Sequence, residues 1–331
     1  MVNQWVVMAA LALVVGGVLY AASDKERNIK GEWSNGLQWG YLLMMVGVFG
    51  LLAAMMSFTA VLLIFVLFTG VIWVWHKLTS KWAPEVSERI SDDNHFRDYM
   101  SGFFPIILLV FVLRTFIAEP FQIPSSSMRP GLVVGDFILV KKSSYGIRVP
   151  ILNTVLIPTG QVERGDVVVF NYPEDNSINY IKRAIGVPGD VVEYRNKTLF
   201  VNGEEVEAKS EGLYHYQENT PFGLQEVQAD QYEERLNGRE YQTLRINGNP
   251  AFSPSHVRAN FAYRENCDYS RDGSWFRCKV PEGNYFVLGD NRDASEDSRY
   301  WGFVDDKLLV GKAFFIWLNF SDRSRIGTSI K

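Results

Sequence analysis

The chain has 331 residues, 47% of them hydrophobic and 21% charged, with a net charge of −4. That balance, with no Lys/Arg-rich block to track a phosphate backbone, argues against a nucleic-acid partner. Long apolar runs lie before residue 118, and beyond it the composition is that of a strand-rich protein, so the chain divides into a membrane half and a β half.

Residues 4–22 are apolar throughout, long enough to cross about 30 Å of hydrocarbon as a helix. A cleaved leader is the competing reading. It is disfavoured because Met1–Gln4 carries no Lys or Arg, and because Leu19 or Tyr20 stands where a small residue is needed before cleavage at Ala21 or Ala22. Residues 38–75 would span about 57 Å as one helix, nearly twice the bilayer. They are therefore expected as a hairpin of two spans, 39–56 and 59–75, turning near Ser57–Thr59. Residues 102–118 form a last span, with Arg114 placed to snorkel to the headgroups.

Loop charge then sets the orientation. Lys25, Arg27 and Lys30 lie in the first loop, and Lys77, Lys81, Arg89 and Arg97 lie before the last span. Four spans put both loops on the cytoplasmic side and everything after residue 119 outside. Three spans would break the rule at one loop.

After residue 120 short alternating runs take over: 136–142, 165–172, 190–195, 198–208, 284–290 and 308–320. Asn202-Gly203 between two such runs is a two-residue hairpin signal. The expected fold is a mainly β catalytic domain, a folded sheet or barrel, preceded by transmembrane helices. Its core is expected over 119–208 and 281–331, with the polar stretch 209–280 inserted as a β-rich subdomain. Cys267 and Cys278 admit two readings, free thiols or a loop-closing disulfide. Placement outside the cytoplasm favours the disulfide. Two cysteines with no adjacent Cys/His pair make a poor zinc site, and neither a metal nor an organic cofactor is expected.

The search for a nucleophile system proceeds by elimination. None of His76, His95, His215 and His256 sits beside a Ser/Asp motif, and no G-x-S-x-G, S-x-x-K or H-E-x-x-H occurs. A serine can instead be activated by a neutral lysine, whose pKa of about 10.4 must then be lowered by burial. Lys182, among Ile178, Tyr180, Ile181, Ala184, Ile185 and Val187, has such surroundings, although an edge-strand lysine that blocks aggregation would read the same way. Serines cluster in Pro124-Ser125-Ser126-Ser127-Met128-Arg129-Pro130, which taken alone is also an ordinary polar turn. Ser127 follows Ala118 by nine residues, which keeps it within about 30 Å of the membrane surface. Residues 289–302 pack charged and small side chains into one segment without EF-hand spacing, as expected of a hydrogen-bonded loop.

At these segments the chain resembles signal peptidase I of Gram-negative bacteria, from about Phe111 to Gly327. The blocks are EPFQIPSSSMRPGLVVGDFILVKKSSYGIR (119–148), RGDVVVFNYPED (164–175), NYIKRAIGVPGD (179–190) and GDNRDASEDSRYWGFV (289–304). The resemblance implies a serine endopeptidase that removes signal peptides from exported preproteins through an acyl-enzyme, cutting after Ala-x-Ala. It implies Ser127 as nucleophile, Lys182 as general base, and an oxyanion hole made by the Ser127 N–H and the Ser125 hydroxyl. Ser295 would orient the lysine, with Asp297 and Arg299 as a supporting pair and Asp290 and Arg183 as further family positions. The partners implied are secretory preproteins and membrane lipid, and the location is the bacterial inner membrane with the catalytic domain facing the periplasm. Ser126 stands where the family has glycine, Gly131 where threonine is common, and the 38–75 hairpin adds two spans to the usual two. The family's insertion includes a short disulfide loop, which the Cys267–Cys278 spacing does not clearly match. Two other classes remain: a repressor-type Ser/Lys autoprotease, opposed by the first 118 residues, and a non-enzymatic module on a membrane anchor, which would tolerate loss of Ser127 and Lys182.

Overall fold

The computed structural model describes residues 4–28, 31–81, 94–151, 153–220 and 223–331. Lys30 and Arg89, counted above among the loop charges, lie outside these. The chain forms two compact units, one made by the first 115 residues with a short piece at 150–152, the other by the remainder.

The first unit holds four helices, α1 (Gln4–Ala22), α2 (Asn35–Ala53), α3 (Phe58–Lys81) and α4 (His95–Val112), the last running on into a π-helical turn at Leu113–Ile117. Each is long and apolar enough to cross a membrane. α2 starts four residues before the expected span because Ser34 caps it, its hydroxyl accepting from the Leu37 N–H. The turn falls at 54–57, where Ser57 Oγ accepts from the Ala60 N–H. α1 and α2 pack along a seam of small residues. A Cβ on Gly16 would lie 2.8 Å from Gly40 O, and one on Gly47 would lie 2.7 Å from Ala9 O, so the backbones meet where only glycine fits. At one end of the bundle the α1–α2 loop meets the start of α4: Trp33 Nε1 donates to Asp98 at 2.7 Å, and Arg27 pairs with the same carboxylate at 3.1 Å while stacking on the Trp33 ring.

The second unit is mainly β. A seven-stranded sheet runs in the order Ala118–Gln122, Asp136–Lys141, Leu309–Asn319, Val167–Tyr172, Asp175–Gly186, Asn284–Leu288, Val304–Asp305. A five-stranded sheet is built on Val191–Arg195 and Thr198–Val201, joined by an Asn196-Lys197 turn, and Thr198–Val201 passes to Glu204–Glu205 at the expected Asn202-Gly203 turn; all four turn residues have positive φ. A three-stranded antiparallel sheet, Glu207–Thr220, Gly223–Leu236 and Arg239–Arg245, stands beside them.

The stretch 209–280 is therefore not one inserted body. Its first part forms the three-stranded sheet, whereas Cys267–Tyr269 and Trp275–Lys279 join the five-stranded sheet through Val191–Arg195. The reason is a short alternation within polar sequence: Phe276 and Cys278 point inward onto Val192, Tyr194 and Phe286, and Trp275, Arg277 and Lys279 point out. Cys267 and Cys278 face each other in register and are joined in a disulfide.

Candidate active site

Ser127 sits in the turn that follows strand Ala118–Gln122. Its neighbour Met128 is buried among Ile123, Leu132, Ile138, Val140, Val169, Ile181 and Ile316, an apolar anchor that fixes where the serine points. The turn is closed by hydrogen bonds from Arg129 N to Ser126 O and from Leu132 N to Met128 O.

Lys182 lies in the buried half of Asp175–Gly186, opposite Val168 of the neighbouring strand. Strand alternation sends Ile181 into the cluster that holds Met128 and brings the lysine to the serine. Lys182 Nζ is 2.7 Å from Ser127 Oγ and 3.0 Å from Ile181 O, and Lys182 is only 4% exposed. Burial depresses its pKa to about 8 against the pull of Asp297 and Asp290, whose negative charges favour the ammonium. The amine is thus poised near the physiological range, as a general base requires. Ser125 Oγ lies 3.3 Å from Ser127 Oγ on the more exposed side of the turn.

The loop after strand Asn284–Leu288 closes the site. Ser295 donates to Asp297 at 2.8 Å and makes no hydrogen bond to Lys182, whose partners are Ser127 and the Ile181 carbonyl, so the direct lysine contact that the resemblance implied for Ser295 is not formed. Burial alone would raise the pKa of Asp297. The Arg299 guanidinium, together with hydrogen bonds from Gly289 N and Ser295, outweighs it and holds the carboxyl below its ordinary value. Arg299 also donates to the carbonyls of Ala251 and Arg292, so the buried ion pair is fully engaged. Gly289 is a close-approach glycine: a Cβ there would lie 2.2 Å from Ser295 Oγ and 2.6 Å from Ser127 O. Next to Lys182 in the same strand, Arg183 forms a buried bidentate pair with Asp290 at 2.7 and 2.8 Å.

The structure therefore brings Ser125, Ser127, Lys182, Ser295, Asp297 and Arg299 to one place, with Arg183 and Asp290 adjoining it. Cys267 and Cys278 lie in the five-stranded sheet and take no part. Two residues that the sequence did not single out touch the serine turn: Asn291, whose N–H donates to Ser127 O at 3.0 Å, and Tyr216, whose hydroxyl accepts from the Asn291 side chain at 3.0 Å. The first stood unassigned inside the 289–304 block, and the second lies in polar sequence with no motif around it. Among the described residues no group of three or more His, Cys, Asp or Glu is arranged to hold a metal ion.

The family model for signal peptidase, peptidase S26, matches residues 96–318. The signal peptidase I of Pseudomonas fluorescens is 43% identical over 248 residues, 72% of this chain and 78% of its own. That of Buchnera aphidicola subsp. Acyrthosiphon pisum is 36% identical over 300 residues, 79% of this chain and 92% of its own. A solved signal peptidase I from Enterococcus faecalis V583 is 26% identical and covers 46% of this chain and 96% of its own, with a TM-score of 0.24.

Proposed function

The chain belongs to the signal peptidase, peptidase S26 family, serine endopeptidases that remove signal peptides from secretory preproteins, and from that premise we propose that Ser127 is its nucleophile and Lys182 its general base. The observation that carries this reading is the 2.7 Å contact between Lys182 Nζ and Ser127 Oγ inside a buried site. In its neutral form the amine offers its lone pair at that distance, takes the serine proton as Oγ attacks the scissile carbonyl, and passes it to the departing amine of the mature protein. Water activated by the same amine then hydrolyses the acyl-enzyme. The Ser127 N–H and the Ser125 hydroxyl receive the oxyanion, each such donor contributing about 3–4 kcal/mol. Ser295, Asp297 and Arg299 hold the lysine side of the site in place, and Asp290 with Arg183 supports the strand behind it.

The substrate is read as an extended strand with small residues at the first and third positions before the cut, Ala-x-Ala, because backbone pairing accepts any intervening sequence. The four apolar helices fit a membrane-anchored enzyme. We place it in the bacterial inner membrane, with lipid around the anchor and the catalytic unit in the periplasm. The contacts of Trp33 and Arg27 with Asp98 support this topology, because they hold the two positively charged loops at the same end of the bundle, as four spans require.

The test is cleavage, in detergent, of a purified preprotein whose signal ends in Ala-x-Ala, by wild type, Ser127→Ala and Lys182→Ala. Cleavage after the motif by wild type alone, with both variants folded, is the expected result. Wild-type turnover by either variant would place the chemistry elsewhere.

A further inference from the structure

We propose that the three-stranded sheet is a working part of the active site, and that Tyr216 and Asn291 are positioning residues through which it sets the geometry of the nucleophile turn; this rests on Ser127 being the nucleophile.

Asn291 is fully buried and grips the turn twice: its N–H donates to Ser127 O at 3.0 Å and its side-chain amide to Ser126 O at 3.2 Å. The same amide donates to the hydroxyl of Tyr216, at 3.0 Å, from strand Glu207–Thr220 of the three-stranded sheet. Tyr216 is 6% exposed, within a patch of that sheet formed with Ala229 and Leu244, so the hydroxyl is held rigidly. A second contact joins the same strand to the turn: Arg129 stacks on the Tyr216 ring at 4.9 Å and reaches the Tyr214 hydroxyl at 3.4 Å.

The other side of residues 290–292 is fixed by the third strand of the same sheet. Leu244 N donates to Asp290 O, and Arg292 N donates to Leu244 O, each at 2.9 Å. Arg292 then reaches Glu234 at 2.6 Å, a fully buried carboxylate that also accepts from Arg245, Tyr241 and Thr243. Residues 290–292 thus lie between the nucleophile turn and the three-stranded sheet, hydrogen-bonded to both.

The chemical consequence lies at the oxyanion. The Ser126 carbonyl and the Ser127 N–H belong to one peptide plane, so a hydrogen bond that fixes the Ser126 oxygen also fixes the direction of the Ser127 N–H. The amide of Asn291 orients the oxyanion donor, and Tyr216 orients the amide. Loosening this chain acts on the transition state more than on substrate binding, and misplacing such a donor by about 1 Å costs about 100-fold.

The experiment uses the full chain in detergent with the same preprotein, comparing Tyr216→Phe, Asn291→Ala and the double variant. Turnover is expressed per active site titrated with an acylating inhibitor, so that unfolded molecules drop out. The expected result is a fall in kcat of about 3- to 10-fold for Tyr216→Phe and about 10- to 100-fold for Asn291→Ala. KM and the pH midpoint set by Lys182 should be unchanged, and the double variant should be no slower than Asn291→Ala, since the two act in series. Unchanged kcat per titrated site, a rise in KM alone, or multiplying single effects would overturn the proposal. Ser127→Ala run alongside separates the two failures. If it is dead while Tyr216→Phe and Asn291→Ala turn over as wild type, only the positioning role falls. If it is active, the nucleophile assignment falls and the positioning role with it.

Discussion

With Lys182 as the proposed base, its burial sets the pH at which the enzyme is expected to work. Lowering the lysine from 10.5 to about 8 corresponds to a preference for the neutral amine of about 3–4 kcal/mol. With that midpoint, about 1% of the enzyme carries a neutral lysine at pH 6, about 9% at pH 7 and about 90% at pH 9. The rate constant kcat/KM for preprotein cleavage in detergent should therefore climb about tenfold per pH unit up to pH 7, bend near 8 and level off above 9. An ordinary solvated lysine would still be climbing at pH 10. The same burial acts on stability. The unfolded chain keeps the Lys182 proton up to about 10.5 and the folded chain only to about 8, so the unfolded state binds more protons in between and stability rises with pH across that window. Below it the unfavourable contribution is present in full, and Lys182→Met, which removes the buried charge, should abolish the rise. A flat rate profile from pH 6 to 10, or a midpoint near 10.5, would refute the argument that burial makes the base.

Gly289→Ala should fold yet lose about 100-fold in kcat, because the new methyl displaces Ser295 or the Ser127 carbonyl; active-site titration beside circular dichroism checks it. Burial raises the pKa of Glu234, but Arg292 and Arg245 prevail and hold it at about 2, so its stabilisation is complete above pH 4.5 and is lost as pH falls toward 2. Glu234→Gln, measured by denaturant unfolding, should lose about 3–5 kcal/mol at pH 7 and much of the acid-side slope. For topology, Glu26→Cys in a chain without Cys267 and Cys278 should react with an impermeant thiol reagent only after the membrane is opened. Labelling from the periplasm of intact cells would exclude the four-span arrangement.

The helices were legible in the sequence from composition alone, whereas the proposed pairing of Ser127 with Lys182 came from the family resemblance. A membrane span is a length of apolar sequence, and it survives as α1 to α4, with ends displaced by up to seven residues; the starts of α2 and α4 are set by the caps Ser34 and Asn94. The apolar neighbours of Lys182 made it a candidate but did not separate it from an edge-strand lysine; the structure does, by burying it. The strands Glu207–Thr220 and Gly223–Leu236 gave no such signal: most of their residues are exposed on both faces, so the alternation that betrays a half-buried strand is missing. Asn291 and Tyr216 escaped notice because their partnership spans 75 positions and exists only once the sheets are assembled. The partner of Ser295 was equally hidden, since which neighbour its hydroxyl reaches depends on distances set only by the folded loop.

The contact between Trp33 and Asp98 has a consequence for how such an anchor is acquired. The chain departs into α2 and returns to α4 at points joined by a single side-chain hydrogen bond, with about sixty residues between them. A segment whose ends lie so close can enter or leave a gene without changing the path of what flanks it, as with domain insertions in which the termini are neighbours. The crossing number then changes by two, so the polarity of the downstream enzyme is preserved.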